Sequence, residues 1–203
     1  MVGQAHAPLV SGDRKQRAAT VWWLMALSSG FLLGAGTVMM LAWGAGTLAG
    51  TSGVAWRTRA LILLAALAVL VAFDLVAAVH GRSIPLGVRR QTPKNWNLRF
   101  RGDVTALLWG MDIGTGVSTY RMTSAIWLGL LAVFLKVIPV GVGLLYGVVS
   151  ATAISMFVTF IGGGAALQPW LPRLLRARRP VQLAYVASAL AVAATTIAQA
   201  QLF

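Results

Sequence analysis

Long apolar stretches alternate with short basic segments along this chain. No charged residue occurs in Ala18–Trp56, Val137–Pro172 or Pro180–Phe203. Each of these stretches is longer than one membrane-spanning helix requires, since about 20 apolar residues are enough to cross a bilayer. The pattern therefore predicts an all-α integral membrane protein that crosses the bilayer several times.

Five transmembrane helices are predicted, or six. The first stretch is too long for one perpendicular helix and too short for two, so a tilted or broken helix is expected there. The five spans lie within Ala19–Gly50, Ala60–Val79, Val104–Leu135, Gly143–Leu167 and Val181–Phe203. A sixth span follows if the region from Val104 to Leu167 crosses three times rather than twice.

The same pattern predicts the domain organisation. Residues 1–17 form a disordered cytoplasmic tail, and residues 18–203 form a single transmembrane domain. Within that domain we expect half one at 18–80, a basic loop at 81–103, half two at 104–167, a basic loop at 168–180 and a last span at 181–203.

Composition and charge agree with a membrane location. Apolar residues make up 58% of the chain and charged residues 10%, with 17 Lys and Arg against four acids. The basic residues cluster between the apolar stretches, as they do in short cytoplasmic loops, which argues for topology and against nucleic acid. We expect a multi-pass protein of the bacterial inner (plasma) membrane, with a cytoplasmic N-terminus and basic loops that attract anionic lipid headgroups.

Several kinds of chemistry are not expected from these residues. The chain has no cysteine, no glutamate and two histidines, so neither thiol chemistry nor a multi-ligand metal site is predicted. The sequence contains no recognisable Ser/His pair, phosphate-binding loop or paired-aspartate motif. We therefore expect no cofactor, no metal and no enzymatic activity.

A glycine pattern occurs twice, once in each predicted half. When "LSSGFLLGAGTV" is aligned with "LLWGMDIGTGVS", the first set of glycines (Gly30, Gly34, Gly36) falls on the second set (Gly110, Gly114, Gly116) at a constant offset. Such spacing either lets another helix approach closely or permits a break that exposes backbone groups inside the protein. Duplication and chance remain equal explanations at this stage.

The second copy also contains a carboxylate within a predicted span. A charged side chain there costs at least about 2.5–3.5 kcal/mol on insertion scales, so Asp112 should face the protein interior. We predict a polar path formed by Asp112, Thr115, Thr119 and Asp74, the other acid within a span. The alternative for Asp112 is a structural ion pair or a position at the membrane interface. Arg121 is expected to pair with Asp112 across a helix break, or with Asp74.

The repeated glycine-rich helix, the basic "RRQTPKNW" segment and "GMDIGTGVSTY" resemble the CcdA/DsbD-like membrane proteins of cytochrome c biogenesis and disulfide reduction. The resemblance covers residues 20–165. That family uses a cysteine in the first helix of each half, and this chain has none. The resemblance therefore implies a two-half scaffold without the thiol relay. It also implies inverted halves of three helices, whereas the distribution of basic loops predicts parallel halves.

Two functions fit these expectations. In the first, the chain is a transporter-like scaffold with a polar, glycine-lined centre that moves a small ion or molecule. In the second, it is a non-catalytic subunit or assembly factor whose small-residue faces pack against another membrane protein or a second copy of the chain.

Overall fold

A computed structural model describes residues 14–80, 96–116, 124–160, 176–177 and 179–191. The regular elements in these ranges are all helical. They are α1 (Arg14–Leu48), a 3₁₀ turn (Thr51–Gly53), α2 (Trp56–His80), α3 (Trp96–Arg99), α4 (Gly102–Thr115), α5 (Ala125–Phe134) and α6 (Val142–Phe160), followed by α7 at residues 179–191.

Two of these helices are long and apolar enough to cross a bilayer, namely Ala18–Leu48 within α1 and Trp56–His80. The first is continuous, so the predicted Ala19–Gly50 span does not break. Helix α1 itself begins at Arg14, inside the tail predicted at residues 1–17. Gly50 follows its end with φ 68°, a left-handed conformation that favours glycine, and donates its N–H to the Thr47 carbonyl.

The chain divides into two units that are each discontinuous in sequence. The first draws on Met1–Leu41, Val88–Tyr120 and Val140–Arg173, and the second on Ala42–Gly87, Arg121–Pro139 and Leu174–Phe203. Each unit thus combines segments from both predicted halves, and α1 contributes to both units.

In the first unit, α1 contacts α4 and α6. Leu27, Phe31, Ala106, Trp109 and Ala151 form the buried cluster between these helices. On another face of α1, Leu32 and Ala35 contact Gly147, while Ser28 and Ser155 place their hydroxyl oxygens 3.4 Å apart. Since residue numbers rise along α1 as they fall along α6, these two helices are antiparallel.

In the second unit, α2 packs against α5 and α7. Its buried side chains recur at Leu67, Val71, Asp74 and Ala78, which is the spacing of one helical face. Leu67 and Val71 form a cluster with Val186 and Ala189 of α7. At the end of α2, Arg179 donates to the Val79 carbonyl at 3.3 Å, so α7 is antiparallel to α2.

Candidate functional site

The two copies of the glycine pattern pack against each other in the first unit. A Cβ atom built on Gly30 would collide with the backbone of Leu107 and Met111, and one built on Gly110 would collide with the backbone of Leu27 and Phe31. In the alignment of the two copies, Leu107 and Met111 are the positions equivalent to Leu27 and Phe31. The contact is therefore reciprocal, in the register of the sequence repeat.

The second glycine of each copy continues this contact. A Cβ on Gly34 would meet the backbone of Met111, and a Cβ on Gly114 would lie 2.5 Å from the Phe31 carbonyl oxygen. Contacts advance in the same direction along both helices, so α1 and α4 are parallel here. Close approach of two backbones through Gly-x-x-x-Gly faces is the usual role of this spacing in membrane helices.

The third glycines behave differently in the two copies. α4 ends at Thr115, and Gly116 follows with φ 70° and donates its N–H to the Ile113 carbonyl at 3.1 Å. α1, by contrast, continues through Gly34 and Gly36, so a break in the first copy is wrong. A Cβ on Gly36 would be at an ordinary distance of 3.5 Å from Leu144. The helix therefore continues through all three glycines of the first copy, whereas it ends before the third glycine of the second copy.

The predicted polar residues do not all fall in one unit. Asp112 and Thr115 are half-buried in the last turns of α4, where the Thr115 hydroxyl donates to the Asp112 carbonyl at 2.8 Å. Asp74 belongs to the second unit. Thr119 and Arg121 lie outside the described residues, so both predicted pairings of Arg121 and the common polar path remain predictions.

Asp74 is the most enclosed carboxylate among the described residues, with 0% of its surface exposed. Its Oδ2 accepts the Ser124 hydroxyl at 2.7 Å, and its two oxygens accept the Ser124 backbone N–H at 3.2 and 3.0 Å. Ser124 is itself 1% exposed, and its hydroxyl oxygen lies 3.5 Å from that of Tyr185 on α7. No Lys, Arg or His of the described ranges bonds to this carboxylate. Within the described part of the chain, the site is thus a buried acid with neutral partners.

Its location at a helix terminus explains part of this arrangement. Ser124 is the residue that precedes α5, and its side chain does not cap its own helix. Instead the Asp74 carboxylate accepts hydrogen bonds from the Ser124 backbone N–H at the N-terminal end of α5, where the helix dipole favours negative charge. In its structural role, Asp74 of α2 therefore caps the N-terminal end of the neighbouring helix α5.

A basic residue occupies the other end of α5. Arg59, which lies nearer the start of α2 than Asp74 does, donates from Nη1 to the carbonyls of Leu135 and Lys136 at 3.2 and 3.5 Å. Since carbonyls at a helix C-terminus favour cations, α2 complements both ends of the α5 dipole. It follows that α2 and α5 are antiparallel.

Further donors gather around that C-terminal end. The Thr51 hydroxyl is within hydrogen-bonding distance of the Gly46 carbonyl at 2.9 Å and the Phe134 carbonyl at 2.8 Å. Lys136, with φ 57°, donates from Nζ to the Trp43 carbonyl at 2.7 Å and lies 3.4 Å from the centroid of the Trp43 ring. These contacts join the C-terminal end of α1 and the residue Thr51 that follows it to the C-terminal end of α5.

Sequence reasoning did not identify Ser124 or Tyr185 as site residues. Ser124 directly precedes the apolar run "AIWLGLLAVF", and a serine in that position is a recognisable helix-start signal. Tyr185 carries no comparable signal, because only the packing of α7 beside α2 brings its hydroxyl to Ser124. The buried amide side chain of Gln182 lies one turn before Tyr185 and was also missed.

Comparisons with known proteins are negative: no family model, no curated protein and no solved structure matches this chain.

Proposed function

We propose that this chain is a multi-pass membrane protein that binds and moves a proton or small cation, with Asp74 as the binding carboxylate. The observation that carries the proposal is the complete burial of Asp74, whose hydrogen-bonding partners among the described residues are all neutral. An ionisable group inside a membrane is costly and commonly marks an ion or proton pathway. Asp74 lies about 9 Å along the helix axis from the His80 end of α2, which is inside the predicted span.

The surface of the helices supports a lipid environment. Large apolar side chains project outward from α1 and α2, including Trp22, Leu41, Leu48, Leu61 and Val76. In water such extensive exposure would favour aggregation, whereas hydrocarbon accommodates it. We propose a location in the plasma membrane with the N-terminus in the cytoplasm, an orientation that the distribution of basic residues favours.

The alternative proposal is a non-catalytic subunit of a larger membrane complex. This alternative requires helix faces of small residues that are available to a partner protein. Gly30, Gly34, Gly110 and Gly114 are instead used within the chain. This favours transport as the leading proposal, and co-purification of a stoichiometric partner in mild detergent would favour the alternative.

Flux through proteoliposomes tests the transport proposal. Asp74→Asn keeps the size of the side chain and an acceptor for the Ser124 N–H but removes the charge. We expect it to lower cation or proton flux by at least about tenfold, since loss of a positioned proton-transfer group costs about 10²–10⁴.

The matched control for this flux measurement is Asp103→Asn, which removes an exposed carboxylate paired with Arg101 at 3.5 Å. It should transport like the wild type. Wild-type flux from folded, monodisperse Asp74→Asn protein would overturn the proposal.

A further inference from the structure

Resting on that proposed function, we infer that the cargo of the Asp74 site is a proton, and that Ser124 and Tyr185 form a hydroxyl relay connecting the buried carboxylate to the surface of the second unit. The observation is a series of oxygen atoms that runs from Asp74 Oδ2 to Ser124 Oγ at 2.7 Å and from there to Tyr185 Oη at 3.5 Å.

The donors around Asp74 discriminate against metal cations. Both carboxylate oxygens face the Ser124 N–H, and Oδ2 also faces the Ser124 hydroxyl. An N–H group cannot coordinate a cation, and hard cations need several oxygen ligands, about six to eight for Ca²⁺ and about six for Mg²⁺. A proton needs only one lone pair of one oxygen, whereas the described hydrogen-bonding partners of Asp74 add a single hydroxyl oxygen to those of the carboxylate.

Exposure changes in steps along the relay. Asp74 is 0% exposed and Ser124 is 1% exposed, whereas Tyr185 is half-buried. Tyr185 is therefore the member of the series that is not fully enclosed, and it is the member through which a proton would enter. Hydroxyl groups suit this task because each is both a donor and an acceptor.

Proton uptake by this relay involves only O–H bonds. The Ser124 hydroxyl gives its proton to Asp74 Oδ2 and takes the proton of the Tyr185 hydroxyl, and the Tyr185 oxygen takes a proton from the medium. The carboxylate becomes a neutral acid, both hydroxyls are restored, and no electron is transferred. Reversal of the same steps releases the proton.

The test is ion selectivity and flux in proteoliposomes of neutral lipid, with a trapped pH-sensitive dye and imposed gradients of H⁺, Na⁺ or K⁺. Wild-type protein should acidify the vesicle interior under a pH gradient alone, with no requirement for Na⁺ or K⁺. Ser124→Ala and Tyr185→Phe should each slow this flux by at least about tenfold. A positioned proton-transfer group contributes about 10²–10⁴ to the rate of a proton-transfer step.

Conservative variants separate a relay from a structural role. Ser124→Thr keeps the hydroxyl and should retain flux close to wild type, while Ser188→Ala on α7 removes an exposed hydroxyl that bonds only within its helix and should be neutral. Equal flux in wild type, Ser124→Ala and Tyr185→Phe would overturn the relay.

The selectivity data also distinguish the two proposals. Na⁺ or K⁺ flux that depends on Asp74 but not on Ser124 or Tyr185 would overturn proton cargo and leave the proposed function standing. Flux that survives Asp74→Asn, or a wild-type protein with no flux under any of the three gradients, would overturn both.

Discussion

A single methyl group at Gly30 tests the packing of α1 against α4. The Cβ atom of Gly30→Ala would lie 2.8 Å from the Met111 nitrogen and 2.9 Å from the Gly110 Cα, with the Leu107 carbonyl oxygen closer still. Ordinary van der Waals contact begins near 3.4 Å. All three obstacles are backbone atoms, which cannot rotate away as a flexible side chain can. The two helices must therefore separate to admit the methyl group, because a close-packed interior has no spare room for it.

The expected cost follows from two opposing effects. Overpacking in a well-packed interior typically costs about 1–3 kcal/mol, and separation of the helices also weakens the cluster that contains Leu27 and Phe31. Alanine is better than glycine within a helix by up to about 1 kcal/mol, which offsets part of that loss. After this offset we expect Gly30→Ala to destabilise the protein by about 1–2 kcal/mol.

The assay is denaturant or thermal unfolding in mild detergent, with Gly44→Ala as the matched control. Gly44 lies on the same helix, but nothing comes within 4 Å of the position that its added methyl group would occupy, so alanine there should be neutral or stabilising. Gly110→Ala should match Gly30→Ala, and the double variant should cost less than the sum because both changes act on one contact. Gly30→Ala protein as stable as Gly44→Ala protein would refute the reasoning.

Two further predictions concern the C-terminal ends of α1 and α5. Thr51→Val removes the hydroxyl that lies between the two helices and should lower the free energy of unfolding by about 1–3 kcal/mol. Thr58 is exposed, so Thr58→Val should leave the stability unchanged. Equal stability of the two variants would contradict this role of Thr51. Arg59→Met removes the cation that donates to the Leu135 carbonyl and should lower the free energy of unfolding by about 1–3 kcal/mol. The control is Arg57→Met, which changes an exposed arginine, and chemical denaturation measures both variants. An equal denaturation midpoint for the two variants would contradict the dipole argument.

The glycine contact could be anticipated from the sequence in its register. Gly30 and Gly110 occupy equivalent positions of a repeat, and a small-residue stripe encodes close approach wherever it lies on a helix. The sequence did not reveal that the two stripes would meet each other. It also did not distinguish the break after α4 from the continuous helix at Gly36, since the decision depends on what surrounds each glycine.

The Asp74 site was predictable only in part. A lone acid in an apolar span indicates a buried group, and that signal identified Asp74. Its partners Ser124 and Tyr185 come from distant parts of the chain, and no local periodicity specifies which helix ends will meet. For the same reason the sequence did not indicate that Arg59 and Lys136 contact backbone carbonyls near the C-terminal ends of α5 and α1.

The most direct test of the central claim is a pH-difference infrared spectrum of the reconstituted wild type beside Asp74→Asn. If Asp74 takes up a proton inside the protein, the wild type gains a carboxylic-acid carbonyl band on acidification, Asp74→Asn lacks that band, and Asp103→Asn retains it. An identical set of carboxylic-acid bands in wild type and Asp74→Asn would contradict the claim and leave Asp74 as a helix cap alone.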